Sequence, residues 1–304
     1  MIGHQLALLK REIWEHRSIY VTPAAIAVVV SLLTLTGQVT VSTFGDVVDL
    51  AIVGASNVDE EHRRVALLVM FIGVTTVFSL GAWIVMVFYS LDSLYAERKD
   101  KSILFWRSLP ITDAETVISK LLTALVVIPL AFLIAVVVTH LVMLVLTSVW
   151  VEMQGGDAGH LLWGSAPFFD VWATFLIIAI AYPLWLAPLV GWFLFVSAYT
   201  KRSPLLMASL PLIIAPMVEK MIVGTTFFWD AIFVRTFRPP LTSIDLEVLF
   251  DDDRAHELVE QNISLLSAID LGKFLMSPSL WGGLIVCGLM TAAAIYVRRY
   301  RDDS

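Results

Sequence analysis

Six long apolar stretches dominate the sequence and decide which solvent the chain folds in. Each exceeds the roughly 18 residues that a helix needs to cross about 30 Å of hydrocarbon. Open strands cannot cross lipid, because their backbone groups would lack hydrogen-bond partners. We therefore predict an all-α integral membrane protein with six transmembrane helices, forming one membrane domain over residues 1–304. The stretches are Ile19–Val41, Val65–Leu91, Val117–Val149, Val171–Tyr199, Pro204–Trp229 and Ser279–Val297.

The composition agrees with a membrane protein and excludes several other classes. Hydrophobic residues make up 58% of the chain and charged residues 15%, whereas a soluble domain carries about 25% charged residues. The net charge of −7 gives no basic signal for nucleic acid. With a single cysteine, Cys287, the chain cannot form an internal disulfide.

The first residues form an amphipathic pattern. Ile2, Leu6, Leu9 and Ile13 recur at helical spacing, and charged residues lie on the other faces. This pattern predicts a helix at the membrane surface over residues 1–18. The alternative is that these residues are only the first turns of a membrane-spanning helix.

The basic residues predict the orientation in the membrane. If the N-terminus is inside, most of the lysines and arginines fall on the inner side, as the positive-inside rule requires. The short turn at Lys201 and Arg202 is the clearest marker. We therefore expect both termini and residues 92–116 to be cytoplasmic. Residues 230–278 then form an extracytoplasmic connection, in which we expect short helices because a long structureless loop is unusual.

Motifs for catalysis or nucleotide binding are missing from the sequence. It contains no Gly-x-x-x-x-Gly-Lys-[Ser/Thr] loop for ATP phosphates, no His-Glu-x-x-His, no Cys-x-x-Cys and no Gly-x-Ser-x-Gly. We expect no metal site and no cofactor in this chain. His140, the one histidine inside an apolar stretch, favours a structural or interfacial role near the outer membrane surface.

The pair Glu219-Lys220 interrupts the fifth apolar stretch. One interpretation is that the helix simply ends there. The other is that the chain breaks at Glu219 and Lys220 and that the apolar residues after them dip back into the outer leaflet, which requires protein or water around the break.

The most informative stretch runs from Asp92 to Lys120, between the second and third apolar stretches. It begins with charged residues and continues into the apolar cluster Ile103–Trp106, which would be a liability in water unless something covered it. Pro110 then stops a helix, and Thr112–Glu115 is a capping-box pattern that starts the next one. The cluster therefore predicts a covered surface, although a solvated loop with an interfacial anchor is the simpler alternative.

At this point the sequence resembles a known family. The run Tyr95–Pro110 reads Tyr-Ala-Glu-Arg-Lys-Asp-Lys-Ser-Ile-Leu-Phe-Trp-Arg-Ser-Leu-Pro, and Lys120 opens the third span. This run resembles the membrane-permease subunit of type-2 ABC transporters, which have the type V exporter fold. The family has a Glu-Arg pair after the second span, then a hydrophobic cluster, a Leu-Pro and a later lysine. Here Lys-Asp-Lys-Ser stands where glycine is frequent.

The resemblance implies a permease subunit of an ATP-driven exporter in the bacterial cytoplasmic (inner) membrane. It implies two copies of a separate ABC ATPase subunit, which would hold the ATP and Mg, and a second permease copy, as a homodimer or with a related chain. The dimer interface would lie on the second and fifth spans. The chain itself would not be an enzyme. The residues that the resemblance places at the ATPase contact are Glu97, Arg98, Lys101, Ile103, Leu104, Phe105 and Trp106.

Two other classes remain as alternatives. One is an ATP-independent membrane carrier or channel, although such proteins usually carry deep charged residues or broken repeat helices. The other is a membrane-embedded enzyme, for which the sequence offers no catalytic constellation.

Overall fold

The structure, a computed structural model, describes residues 2–35, 41–44, 46–48, 60–108, 110–153, 155–164, 166–241 and 264–300. Nearly all of these residues are helical. A π-helical turn, Thr123–Val127, joins α5 to α6, and another, Gly159–Trp163, precedes α7. The helices are α1 (Ile2–Glu15), α2 (Ser18–Leu35), α3 (Glu60–Lys99), α4 (Ser102–Arg107), α5 (Asp113–Leu122), α6 (Ile128–Met153), α7 (Phe168–Tyr199), α8 (Pro204–Ile222), α9 (Phe227–Phe237), α10 (Leu271–Met276) and α11 (Pro278–Tyr300).

Six helical segments in the described part of the chain are long and apolar enough to cross a membrane. They coincide with the six predicted stretches, so the prediction of an all-α protein with six transmembrane helices is confirmed. The orientation of the two termini stays a prediction. The segments are Ser18–Leu35, Leu67–Lys99, Asp113–Met153, Phe168–Tyr199, Pro204–Ile222 and Pro278–Tyr300.

Three details differ from the sequence-based expectation. A short antiparallel strand pair, β1 (Val41–Phe44) and β2 (Asp46–Val48), follows the first span. The first described span ends at Leu35, where Val41 was predicted. The fifth span ends at Ile222 and not at Trp229, because the chain breaks at Gly224, whose φ of 77° lies in the left-handed region that glycine tolerates.

Helix α7 is central to the packing of the spans. It packs against α11, α3, α6 and α8, while α2 packs against α6 and α3. Gly191 allows α7 and α11 to approach closely, since a Cβ at that position would lie 3.1 Å from the Cα of Cys287. The largest group of buried apolar residues lies between α3, α6 and α7 and includes Phe71 and Phe78.

Two short helices, α9 and α10, flank the long connection between the fifth and sixth spans, where short helices were expected. Helix α9 rests on the neighbouring spans through polar contacts. The Arg235 guanidinium lies 4.1 Å from the centre of the Trp185 ring and donates to the Ser279 carbonyl at 2.8 Å. A Cβ at Gly283 would occupy the place of that guanidinium, so the missing side chain makes the contact possible. The acidic run 251–257 lies outside the described residues.

Candidate coupling site

The charged turn after the second span has a defined geometry. Helix α3 continues to Lys99, and the chain then reverses through Asp100 and Lys101 before α4 begins. Lys101 has a φ of 57°, in the left-handed region that glycine normally occupies after a helix. The Lys101 N–H donates to the Arg98 carbonyl at 3.1 Å. The structure thus places a strained lysine in the run where the resembling family often has glycine.

The apolar cluster on α4 is partly covered by this chain itself. Ile103 is only 2% exposed. Trp106 is half-buried, because the Arg11 guanidinium of α1 lies 3.4 Å from the centre of its ring. The side chains of Leu104 and Phe105 lie outside the described part of the structure. The prediction that something covers this cluster is met for Ile103 by this chain itself, because Ile103 packs inward.

The predicted capping box at the start of α5 is confirmed. The Glu115 N–H donates to the Thr112 hydroxyl at 3.1 Å, and the Thr112 N–H donates to the Glu115 carboxylate at 2.9 Å. The two hydrogen bonds satisfy backbone donors that a helix start would otherwise leave unpaired. They fix the start of α5 two turns before Lys120.

Glu97 lies at the centre of a buried cluster of charges. One carboxylate oxygen, Oε1, lies 3.0 Å from the Lys120 ammonium and 3.0 Å from the Arg11 guanidinium. The other, Oε2, accepts from Arg298 Nη1 at 2.6 Å. Glu97 is 3% exposed and Lys120 is 0% exposed. One carboxylate therefore joins α1, α3, α5 and α11.

Glu12 of α1 supplies the second buried carboxylate. Its two oxygens lie 3.0 and 3.1 Å from Lys120 Nζ, and the Tyr89 hydroxyl donates to it at 2.8 Å. His16 Nε2 lies 3.7 Å away. Burial, reinforced by the positive charge of Lys120, lowers the pKa of His16, which favours a neutral imidazole at neutral pH.

Arg298 extends the cluster to the start of α5, where its Nε donates to Asp113 at 2.8 Å. We use the term ionic network for six residues whose formal charges balance, three positive and three negative. Burying such charges is costly unless they are paired, and removing one partner of a buried pair costs about 3–5 kcal/mol. The members are Arg11, Glu12, Glu97, Asp113, Lys120 and Arg298.

Arg98, next to Glu97, connects α3 to the end of the fourth span. Its Nη2 donates to the Ser197 and Thr200 carbonyls at 2.5 and 2.7 Å. A cation at the C-terminal end of a helix is favourable, because the last carbonyls are unpaired and carry partial negative charge. A further hydrogen bond joins the same two helices, since the Ser197 hydroxyl accepts from the Leu94 N–H at 3.1 Å.

The residues predicted to contact an ATPase therefore differ in burial and in their contacts within this chain. Glu97 and Ile103 are buried in this chain. Arg98 caps α7, and Trp106 is stacked on Arg11. Lys101 is exposed. The role of all seven residues in coupling stays a prediction.

The sequence did not reveal the partners of Lys120. A lone ammonium at the start of a span needs an acidic partner, so the sequence did indicate that Lys120 is paired. It could not show that the partner is Glu12, 108 positions away. The helical pattern had placed Glu12 with the other charged residues, away from the apolar face of α1. In fact Glu12 is 0% exposed.

Glu219 and His140, which the sequence analysis discussed, have contacts that stabilise the fold. The Glu219 carboxylate accepts from the N–H groups of Phe227 and Phe228 at 2.9 and 2.8 Å, so it caps α9. Lys220 is exposed. Whether this break enters the outer leaflet stays a prediction. His140 is buried and accepts from the Trp172 indole N–H at 3.4 Å, a contact that suits a structural role.

These features define a multi-pass membrane protein with a buried ionic network at one end of its spans. Residues 64–191 match the family model of the ABC-2 family transporter protein. This match supports a type-2 ABC transporter membrane permease and confirms the resemblance predicted from the sequence. The matched region includes Glu97 and Lys120, whereas Glu12 and Arg298 lie outside it. No curated protein and no solved structure matches the chain. The ABC-2 family implies partnership with an ATPase subunit.

Proposed function

We propose that the chain is the permease subunit of an ATP-driven exporter in the bacterial cytoplasmic membrane. Two such subunits form the translocation path, and two copies of a separate ABC ATPase hold the ATP and Mg and supply the driving force. Both termini and the segment 92–116 face the cytoplasm. The family match supports this proposal, and the ionic network around Glu97 is the observation that carries its mechanism.

The network provides a route by which a force on the turn reaches the spans. The turn and α4 directly follow α3, so a force on them acts on α3. Glu97 binds α3 to α1, α5 and α11, and Arg98 binds it to the end of α7. A push would therefore tilt these helices together as one body, which is a common form of switching motion.

Exposed residues of the turn are the best candidates for direct contact with the ATPase. Lys99, Asp100 and Lys101 are all exposed. Two lysines and a left-handed backbone at the tip give this surface a defined shape and a positive bias. An acidic or polar cleft on the ATPase would complement it, because complementary charges guide association.

The experiment that tests the proposal uses the permease in nanodiscs together with a candidate ABC ATPase, chosen because its sequence carries the Gly-x-x-x-x-Gly-Lys-[Ser/Thr] loop and its gene adjoins that of the permease. The readouts are co-purification and the rate of ATP hydrolysis compared with the ATPase alone. We expect Lys101→Glu to weaken both. Lys201→Glu is the matched control, since Lys201 is exposed in the other predicted cytoplasmic turn.

A permease that never associates with the ATPase would contradict the proposal. Equal effects of the two substitutions would contradict the assignment of the Lys101 turn as the contact. Substrate flux through the permease alone, with no ATPase present, would favour the ATP-independent carrier or channel.

A further inference from the structure

A cavity of about 100 Å³ lies between α3, α6 and α7, away from the ionic network. Its walls are apolar and include the aromatic rings of Phe78, Phe132 and Phe175. None of the described residues that line it is charged. Trp83, which is 37% exposed, is one of its lining residues. Apolar cavities of about 150 Å³ stay dry and bind benzene, so this one suits a short piece of hydrocarbon and excludes ions.

The depth of the cavity follows from helix geometry. At 1.5 Å per residue, Met86 lies about 16 Å along α3 from Glu97, and Thr75 lies about 33 Å from it. By the same measure, Val136 lies about 24 Å from Lys120. The hydrocarbon layer is about 30 Å thick. With the network at the cytoplasmic boundary, the cavity occupies the outer half of the hydrocarbon and ends at the outer boundary.

Two of the three hydroxyl-bearing residues that line the cavity, Thr75 and Ser79 of α3, lie toward its outer end. The third, Tyr182 of α7, lies deeper, about 22 Å along α7 from Ser197, and its hydroxyl donates to the Thr236 carbonyl. The enclosed Thr75 hydroxyl has no hydrogen-bond partner, although its neighbour Thr76 donates to the Ile72 carbonyl at 2.8 Å. The deeper wall, at Met86 and Pro129, is apolar. The outer end of the cavity therefore carries two hydroxyls, and the walls below it are apolar except for Tyr182.

We propose that this cavity binds a segment of one acyl chain of an outer-leaflet phospholipid. The chain lies along the aromatic wall, and its glycerol ester region faces the hydroxyls at the outer end. A phospholipid has the same order of polarity at the same depth. The hydrocarbon layer holds no water to exclude, so the hydrophobic effect does not drive binding. A chain is favoured over an empty cavity because it restores the van der Waals contacts that the cavity walls would otherwise lack. The assignment to the outer leaflet rests on the proposed orientation, with both termini cytoplasmic, and not on the partner ATPase.

The test uses the full chain in nanodiscs that contain a phosphatidylcholine with a photoreactive diazirine in the middle of one acyl chain. After illumination, adducts are mapped by peptide mass spectrometry. We expect adducts on residues 75–86 and 175–183, in addition to those on the lipid-facing residues of α2. A phenylalanine in place of Ala179, which lines the cavity, fills the space and lowers the cavity adducts at least fivefold. The adducts on α2 remain unchanged.

Ala25→Phe is the matched control, because Ala25 is exposed on α2 and the substitution adds the same side chain outside the cavity. It should leave the cavity adducts unchanged. Each variant must elute as a single species and unfold cooperatively; Ala82→Phe on the opposite wall replaces Ala179→Phe if that variant does not fold. Cavity adducts that are absent from the wild type, or unaffected by filling, would overturn the proposal. So would cross-links from the cavity to a second copy of the chain in place of lipid.

Discussion

The sharpest test of the ionic network is the removal of its ammonium by Lys120→Met. Methionine is unbranched and apolar and fits the same space, so the variant loses charge more than volume. Glu12 then keeps only the Tyr89 hydroxyl and the neutral His16, while Glu97 keeps its two arginines. Loss of one partner from a buried pair costs about 3–5 kcal/mol. At roughly 2–4 °C per kcal/mol, we expect the thermal unfolding midpoint of the detergent-solubilised permease to fall by at least about 6 °C.

A second substitution separates this explanation from simple loss of packing. Glu12→Gln removes the carboxylate charge that Lys120 neutralises, yet its amide oxygen can still accept from the Tyr89 hydroxyl. Alone, Glu12→Gln leaves an excess positive charge in the ionic network and destabilises the fold. Combined with Lys120→Met it restores the charge balance, so the double variant should be more stable than the sum of the single effects predicts by about 1–3 kcal/mol. Effects that add to within about 0.5 kcal/mol would refute the pairing.

Three further predictions concern the turn and α9. Lys101→Gly should raise the unfolding midpoint by about 1–4 °C, because glycine relieves the left-handed backbone; Lys101→Ala, which keeps a Cβ, should give no gain. Glu219→Gln weakens the cap of α9, so hydrogen exchange at its first amides should accelerate, and unchanged exchange would contradict the cap. Gly283→Ala should expose α9 to limited proteolysis by displacing Arg235, whereas Gly282→Ala, where a Cβ meets nothing within 4 Å, should not.

The spans and the capping box were predictable because their causes are local. The length and apolar character of a stretch determine whether it can cross the bilayer, and all six stretches became helices. The capping box depends on Thr112 and Glu115, three residues apart. The break after α8 was partly predictable from Glu219 and Lys220. Its exact place depends on Gly224 and on the carboxylate that caps the following helix.

The network was not predictable, because its contacts join distant parts of the chain. Glu97 and Arg298 are 201 positions apart, and no periodic pattern encodes such a pair. The pattern of α1 also did not reveal that Glu12 is buried. A charged residue on a helix usually faces water, and only the approach of Lys120 makes the buried position of Glu12 favourable. The spans could therefore be predicted from local hydrophobicity. The packing of the helices against each other depends on pairs of charges that are distant in the sequence.

The ionic network also limits which parts of the permease can move against each other. Apolar side chains can slide past one another at small cost, but a buried carboxylate cannot leave its partners without a penalty of several kcal/mol. Rotating α3 would separate Glu97 from Lys120 and Arg298 at the same time, so α1, α3, α5 and α11 should move as one unit. Helices α2 and α8 bury the smallest share of their length in the described structure and carry no network residue. A motion that starts at the Lys101 turn is therefore expected to displace this unit relative to α8, and the surface between them is where a path through the membrane would open or close.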